Sequence, residues 1–213
     1  MTQRLLLAIG GNSPILYSDL IRELGQSVSC ALFDMRLSLI AASSLYSTAP
    51  LGCPGRQPRY LNAVLLCDSS LPPAQLLRGL KKSEKLAGRR VRGINAPRPL
   101  DLDIIDLGGR VTGWPTRGRS PRPKNRFGIK RIGKVHREPR AWLTLPHPAL
   151  HKRRFVLEPL AEVAPHWHHP VLKVPVSRLL ARLPRRPGEI QRTLDSRWLS
   201  CEVTQNVQVQ IEG

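Results

Sequence analysis

The first 107 residues alternate between short apolar runs and segments whose apolar residues recur at helical spacing. The apolar runs predict four strands, at Arg4–Ile9, Arg36–Tyr46, Tyr60–Cys67 and Leu100–Leu107. Between these strands, apolar residues at helical spacing predict a helix over Ser18–Val28. They also predict a second helix that begins at Pro72-Pro73 and ends at Gly88. The order β-α-β-β-α-β indicates an α+β fold of ferredoxin-like type, with the strands in one sheet and both helices on one face.

Beyond residue 113 the hydrophobic pattern stops and later returns. Residues 114–140 show no periodicity, which is typical of a flexible insertion. Structure is expected again from Leu143, with C-terminal helical additions near Lys152–Val163 and Val176–Leu183. We therefore expect a single domain over residues 1–183, interrupted by the insertion at about 114–140, and a C-terminal tail at 184–213 in which the sequence predicts no element.

The net charge of the chain is +19, and much of it lies in the insertion. Residues 115–140 contain ten lysines or arginines and one acidic residue, Glu138. Charge of this density attracts polyanions such as nucleic acids and nucleotides. A surface for single-stranded nucleic acid usually interleaves aromatic with basic residues, and here only Phe127 qualifies. Nucleic-acid binding through residues 115–140 therefore stays an alternative function.

Several features indicate a soluble, cytoplasmic protein. The four cysteines are scattered without a C-x-x-C pair, as is typical of reduced thiols. The apolar run at residues 5–9 is too short for a signal peptide core or a membrane span. No cysteine or acid is placed to complete a zinc site with His166, His168 and His169, so we interpret these as surface histidines.

Two carboxylates in the last predicted strand form a candidate metal site. Asp101 and Asp103 stand two residues apart, so their side chains project from the same face. Such a pair suits Mg²⁺, which typically takes one or two carboxylates plus substrate phosphates. Four arginines lie just upstream: Arg89, Arg90, Arg92 and Arg98. Guanidinium groups match phosphate oxygens, although salt-bridged acids beside a solvated basic loop are the alternative interpretation.

Tyr60 and Asn62 share one face of the third predicted strand. A phenol and a carboxamide together could bind a flat heterocycle, but a core tyrosine with a satisfied hydroxyl is the simpler interpretation. His147 lies between two prolines and could either donate to a phosphate or cap the helix that follows.

The motifs together resemble one family, the 6-hydroxymethyl-7,8-dihydropterin pyrophosphokinases of folate biosynthesis. The resemblance lies in the following segments, which occur in the family's order over most of residues 4–175: Ala8-Ile9-Gly10-Gly11-Asn12, residues 43–52 (SSLYSTAPLG), Tyr60-Leu61-Asn62-Ala63, residues 98–104 (RPLDLDI), and Leu145-Pro146-His147-Pro148 with Arg153 and Phe155. This resemblance implies an enzyme that transfers pyrophosphate from ATP to the hydroxymethyl group of the pterin and releases AMP.

The resemblance also implies a role for each matching position. Asp101 and Asp103 would hold two Mg²⁺ ions, and Arg89 and Arg98 would be the catalytic arginines. The ATP site would be lined by Glu84, Arg98, Ile104, Thr144, His147 and Arg153. The pterin would be surrounded by Thr48, Leu51, Tyr60, Asn62 and Phe155. The small-molecule partners would be ATP and 6-hydroxymethyl-7,8-dihydropterin, with no membrane partner. We expect a monomer.

The sequence departs from the family pattern at several places. Asn95 stands where the family often has a tryptophan, and Pro99 replaces the threonine of the signature. The loop before Arg98 is one residue short, so Arg89, Arg90 and Arg92 all stay candidates for the mobile-loop arginine. No metal ligand is lost. A catalytically degenerate member of the family is therefore a further alternative to an active enzyme.

Overall fold

Strands and helices alternate along the chain as the hydrophobic pattern predicts. The computed structural model describes residues 2–50, 57–89, 98–114 and 143–199. The elements in chain order are β1 (Gln3–Asn12), α1 (Tyr17–Asp34), β2 (Ser38–Ala42), β3 (Leu45–Thr48), β4 (Tyr60–Ser69), α2 (Pro73–Leu86), β5 (Arg98–Leu107), α3 (Arg154–Val163), α4 (Val176–Ala181) and β6 (Ile190–Leu194). Short 3₁₀ turns occupy Leu150–Lys152 and Ser196–Leu199.

The strands form one antiparallel sheet in the order β5-β1-β4-β3-β6, and β2 also pairs with β4. The central strand β1 places Gly10 opposite Asn62 of β4 on one side and opposite Asp101 of β5 on the other. This register brings two segments that are distant in sequence to the same end of the sheet.

Helices cover both faces of the sheet. Leu5, Leu7 and Ile9 of β1 point to the face that packs against α1 and α2, whereas Leu6 points to the face covered by α3 and α4. A strand buried on both faces has no polar side to alternate with, which explains the continuous apolar run at 5–9. The protein is therefore a mixed α+β structure built on an antiparallel sheet.

Helix α2 follows the predicted pattern closely. Pro73 stands in its first turn, where the missing amide proton costs no hydrogen bond. Its buried side chains are Leu76, Leu80 and Glu84, spaced four residues apart on one stripe. Gly88 follows the helix with a φ of +88°, a conformation that glycine adopts without strain. The carboxylate of Glu84 is thus directed into the protein rather than toward solvent.

The predicted strand Arg36–Tyr46 is divided into two strands in the structure. The break lies at Ser43 and Ser44, where the Ser43 amide donates to the Val64 carbonyl at 2.9 Å and the Ser44 amide donates to Glu162 Oε2 at 2.7 Å. The second of these bonds leads away from the sheet to α3, so the ladder is interrupted. The hydrophobic pattern runs through the break and could not reveal it.

Strand β6 belongs to a region in which the sequence predicts no element. It pairs antiparallel with β3 and forms an edge of the sheet. The basic segment 115–142 lies outside the described residues, as do Cys53 and Cys201. In the part of the chain that is described, no helix is both long and apolar enough to span a membrane.

Candidate active site

A cleft of about 270 Å³ opens beside Gly10, at the end of the three central strands. A Cβ atom on Gly10 would lie 3.5 Å from Asn62 Oδ1 and 3.8 Å from Asp101 Cβ, so the glycine leaves room between these two side chains. Predicted site residues that line the cleft are Thr48, Tyr60, Asn62, Arg98, Asp101, Asp103, Arg153 and Phe155. The structure thus brings together residues from both halves of the predicted site.

The carboxylate of Asp101 is held by two arginines. Arg98 Nη1 lies 3.1 Å from Asp101 Oδ1 and 3.0 Å from Oδ2, and Arg89 Nη1 lies 2.9 Å from Oδ1. These side chains remain 25–39% exposed, so the ion pairs are open to solvent on one side. Screened pairs of this kind are weak enough to be exchanged for other charged groups.

Asp103 faces the same cleft and is not engaged in this way. Among the described residues, no donor is hydrogen-bonded to its carboxylate. Those residues also contain no cluster of three or more histidines, cysteines or acids able to enclose a metal ion. Two carboxylates on one open face fit Mg²⁺, because this ion commonly completes its octahedral shell with waters and substrate phosphates.

Glu84 connects the metal-site strand to helix α2. It is 1% exposed, and its carboxylate accepts from Lys81 Nζ at 2.7 Å, from the Leu102 amide at 2.9 Å and from Arg89 Nη1. Leu102 lies between the two aspartates, so Glu84 fixes both the strand that carries them and the arginine beside them. Since protein donors already occupy the carboxylate, a contact with ATP stays a prediction.

Arg98, Asp101, Asp103 and Arg153 form the charged wall of the cleft. His147 is close enough to this wall to interact with its charges, and a hydrogen bond defines its tautomer. Its Nδ1 accepts from the Ala149 amide at 3.2 Å, so the proton of the neutral ring is on Nε2. Burial lowers the pKa of His147; Asp103 opposes this effect and Arg153 reinforces it. The ring therefore stabilises the turn that follows, whereas donation from Nε2 to a phosphate stays a prediction.

The uncharged wall of the cleft, formed by Thr48, Tyr60, Asn62 and Phe155, is built around Asn62. Its Nδ2 donates to Thr48 Oγ1 at 2.9 Å, and both residues are at most 6% exposed. With the amide nitrogen held in this way, Oδ1 points toward Gly10 and the cleft. A buried carbonyl oxygen at this position favours a ligand that presents an N–H donor.

Aromatic side chains border the same wall. Tyr60 and Phe155 both line the cleft, on β4 and α3 respectively. The guanidinium carbon of Arg153 lies 5.8 Å from the centre of the Phe155 ring, within the range of a cation–π contact. A flat heterocycle entering here would meet two aromatic side chains and a cation close by.

Gly11 and Asn12 position the start of β5. A Cβ on Gly11 would lie 2.6 Å from the Pro99 carbonyl oxygen, so no larger residue fits without moving the strand. Asn12 is fully buried, and its Oδ1 accepts from the Arg98 amide at 2.9 Å. Pro99 falls where the β1–β5 register shifts, so its missing amide proton is less disruptive there than it would be within a regular ladder.

Among the described residues, five predicted site residues do not line the cleft: Glu84, Arg89, Ile104, Thr144 and His147. Ile104 is buried in the core on the face opposite the aspartates, so any contact with a nucleotide would come from its main chain. Thr144 is half-buried. Leu51, Arg90, Arg92 and Asn95 lie outside the described residues.

The interpretation of His169 as a surface residue is wrong. His169 is fully buried, and its Nδ1 accepts from the amides of Val171 and Leu172 at 3.2 Å each. The ring stabilises a turn and packs edge-on against Trp114, with the ring centres 5.0 Å apart. His166 and His168 are exposed, as expected.

Sequence reasoning did not single out Glu162 of α3. It accepts from the Tyr46 hydroxyl and from the Ser44 amide, and so holds β3 against the helix. The two partners are more than one hundred residues away in sequence. No local signal could have revealed this role.

Comparison with known proteins identifies the family. Residues 6–165 match the family model described as 7,8-dihydro-6-hydroxymethylpterin-pyrophosphokinase (HPPK). The chain belongs to the HPPK family. Within the matched region lie all the residues that line the cleft.

Two curated relatives are similar to this chain over most of their length. The 2-amino-4-hydroxy-6-hydroxymethyldihydropteridine pyrophosphokinase of Pseudomonas aeruginosa is 32% identical over 188 residues, covering 86% of this chain and 91% of the relative. The enzyme of the same name from Mycobacterium bovis is 36% identical over 184 residues, covering 84% of each chain.

Solved structures of the family share the fold. The structure of Plasmodium falciparum HPPK-DHPS with pteroate superposes with a TM-score of 0.57 at 15% identity and covers 85% of this chain. The chain spans only 42% of that longer protein. The likeness supports the HPPK fold, whereas the residue roles depend on the cleft described above.

Proposed function

We propose that this protein is a 2-amino-4-hydroxy-6-hydroxymethyldihydropteridine diphosphokinase that acts in folate biosynthesis in the cytoplasm. It transfers pyrophosphate from ATP to the hydroxymethyl group of 6-hydroxymethyl-7,8-dihydropterin and releases AMP. The observation that carries this proposal is the cleft, in which a wall of paired carboxylates and arginines faces a wall of neutral and aromatic side chains. Membership of the HPPK family supports the same conclusion.

Asp101 and Asp103 are the proposed ligands of two Mg²⁺ ions. When bound, Mg²⁺ neutralises phosphate charge and makes the β-phosphorus easier to attack. Asp103 presents its carboxylate to the cleft, whereas Asp101 must first release at least part of its hold on Arg89 and Arg98. The exchange is favourable because phosphate oxygens are available to the same guanidinium groups.

Arg89 and Arg98 are the proposed catalytic arginines. Both lie within 3.1 Å of Asp101 and so are already close to where the phosphates would bind. Their fixed donors stabilise the negative charge that spreads over the transferred group. Glu84 keeps Arg89 in place, and His147 and Arg153 extend the donor set along the ATP site, which Ile104 and Thr144 complete.

The pterin is proposed to bind against Thr48, Tyr60, Asn62 and Phe155, with Leu51 completing the site. The Asn62 carbonyl oxygen would accept from an N–H of the heterocycle, and Phe155 would stack on its face. This binding directs the hydroxymethyl oxygen toward the charged wall. The reaction then depends on alignment of the two substrates and on charge neutralisation more than on a dedicated base.

The sheet is proposed to be a ferredoxin-like core, β-α-β-β-α-β, extended at one edge. The order β5-β1-β4-β3, with α1 and α2 on one face, supports this interpretation. The domain is proposed to span residues 1–183 with the insertion at about 114–140, and the tail from 184 adds β6 to its sheet.

The decisive experiment measures AMP release from ATP and Mg²⁺ with and without 6-hydroxymethyl-7,8-dihydropterin. Pterin-dependent AMP is the expected product. ADP would indicate a different kinase chemistry, and a folded sample that forms neither product would support a catalytically degenerate member of the family. Replacing Mg²⁺ by EDTA should abolish the activity, which tests the proposed metal requirement.

A further inference from the structure

The C-terminal segment 188–199 packs against the uncharged wall of the cleft, which we propose binds the pterin and which is called the pterin wall below. It lies beyond residues 6–165, the region that matches the family model. Strand β6 pairs with β3 so that Ile190 is opposite Thr48 and Gln191 is opposite Ser47. A segment outside the family match is therefore the direct neighbour of a cleft-lining residue.

Main-chain contacts continue from β6 to the rim of the cleft. The amide of Ala49, which lines the cleft, donates to the Glu189 carbonyl at 3.1 Å. Arg59 ties the same region together: its Nη2 donates to the carbonyls of Ser47 at 3.1 Å and Gly188 at 3.2 Å. Its Nε also donates to Ser47 Oγ at 2.8 Å. Because Arg59 directly precedes Tyr60, it connects the start of β4 to β3 and to the segment 188–199.

The other end of the segment is anchored in the core. Trp198 Nε1 donates to the Ser43 carbonyl at 2.9 Å, and Trp198 and Leu199 are buried with the residues of α1. Arg192 Nε donates to Ser44 Oγ at 2.7 Å. The segment is thus hydrogen-bonded to residues before and after the four-residue strand β3, and these bonds fix its position on the domain.

We propose that residues 188–199 form a C-terminal clamp that positions the pterin wall, with Arg59 as its principal positioning residue. Without the clamp, β3 would be an edge strand hydrogen-bonded to the sheet on one side only. Thr48 and Ala49 would then have to be ordered when the pterin binds, at a cost in affinity. The proposal rests on the proposed function, because it assigns the clamp a role toward the pterin.

Gln191→Pro with Gln191→Ala as its matched control tests the clamp. The Gln191 side chain is exposed, so the alanine variant removes little, whereas proline removes the amide proton and cannot continue the ladder to β3. We expect the KM for the pterin to rise about tenfold in the proline variant relative to the alanine variant, with the KM for ATP changed by less than about twofold. Hydrogen exchange at Ser47 and Ala49 should become faster only in the proline variant.

Arg59→Gln provides a second, side-chain test. We expect a smaller rise in pterin KM of about threefold, again without a change for ATP, because the main-chain pairing of β6 is left intact. Arg59→Lys should not restore the wild-type KM, since an ammonium group cannot replace the forked contacts to Ser47 and Gly188. Arg4→Gln, which removes an exposed arginine paired with Asp68, is the control.

The outcomes separate the clamp from the proposed function. If Gln191→Pro does not fold, the Arg59→Gln result decides. Equal pterin KM values in the variants and their controls overturn the clamp, and so does an equal rise in both substrate KM values. If the wild type forms no AMP but binds the pterin, the proposed function fails while calorimetric titration of the pterin still measures the clamp. Absence of pterin binding by the folded wild type overturns both.

Discussion

The two walls of the cleft are held in different ways. The charged wall, which we propose binds the nucleotide and which is called the nucleotide wall below, consists of side chains that are partly exposed. They are bonded mainly to one another, as in the pairs of Asp101 with Arg89 and Arg98. The pterin wall consists of neutral groups such as Asn62 and Thr48, which are buried and fixed by the sheet. The first wall has to exchange its partners when a charged ligand binds, whereas the second is already assembled.

This difference predicts different sensitivities of the two walls. Exposed ion pairs respond to ionic strength and to the loss of a single charge. Buried neutral hydrogen bonds respond to changes of shape and to unsatisfied polar groups. Substitutions in one wall should therefore leave binding to the other wall largely intact.

The largest effect is expected from Asp103→Asn, which removes a proposed metal ligand without changing the shape of the site. We expect the rate of AMP formation to fall on the order of 100–1000-fold, because the developing charge is no longer neutralised. Pterin affinity measured by calorimetry should change by less than about threefold. Asp68→Asn, at a distant ion pair, is the control; a matching loss of pterin affinity in Asp103→Asn would show that the walls are not independent.

Asn62→Leu makes the corresponding change in the pterin wall. The substitution keeps the volume but leaves Thr48 Oγ1 without its donor and removes the acceptor that faces the cleft. We expect kcat/KM for the pterin to fall about 10–100-fold, with the KM for ATP unchanged. Thr48→Val should give a smaller loss, since Asn62 Oδ1 is retained. Steady-state kinetics with each substrate varied in turn distinguishes these results.

Glu84→Gln tests the connection between the nucleotide wall and α2. The carboxylate is buried and accepts from three protein donors, so its replacement leaves Lys81 without its charged partner and leaves Arg89 paired with Asp101 alone. We expect the free energy of unfolding to fall by about 1–3 kcal/mol, less than for a fully buried pair because both cations are partly exposed. Urea denaturation measures the loss, and Asp19→Asn, at an exposed ion pair in α1, is the control. No loss in Glu84→Gln would contradict the anchoring role.

Acid should destabilise the protein through a residue that belongs to neither wall. Burial, together with the nearby His151, lowers the pKa of His169 to about 4. Between this value and the unfolded pKa of about 6.5, the unfolded chain binds more protons than the folded one, so stability is lost as the pH falls. We expect a loss on the order of 2 kcal/mol between pH 7 and pH 4. His169→Gln should flatten this part of the pH profile of thermal unfolding; an unchanged slope would show that another group is responsible.

The smallest predicted effect is the response to salt. The KM for ATP should rise roughly threefold between about 0.05 and 0.5 M KCl, whereas the KM for the pterin should stay nearly constant. The comparison uses one enzyme preparation and two substrates, so changes in folding affect both values equally. A parallel rise in both would contradict the distinction between a charged and a neutral wall.

Regular patterns in the sequence account for most of the fold and for much of the site. Alternation along β4 and β5 predicts that Tyr60 and Asn62, and likewise Asp101 and Asp103, share a face, and the cleft contains all four. The resemblance to the family supplied the remaining positions. These patterns predict which face of its own helix or strand each side chain lies on.

Contacts that depend on the main chain or on distant residues could not be predicted. Strand β6 is mostly exposed, so it has no apolar alternation, and its pairing with β3 is made by peptide groups that every sequence contains. Glu162 binds Ser44 and Tyr46 across more than one hundred residues. The burial of His169 depends on a turn that its own ring stabilises, and histidine is common both inside proteins and on their surfaces.

The bond between Trp198 and Ser43 has a consequence for the synthesis of the protein. It joins residues 155 positions apart, so β3 is translated long before the segment that completes its outer edge leaves the ribosome. During that interval the nascent sheet presents β3 as an open edge, and contacts of such long range form late in folding. The pterin wall is therefore expected to be the last part of the cleft to become ordered. A chain whose translation stops before residue 188 would contain the nucleotide wall but lack the segment that holds the pterin wall in place.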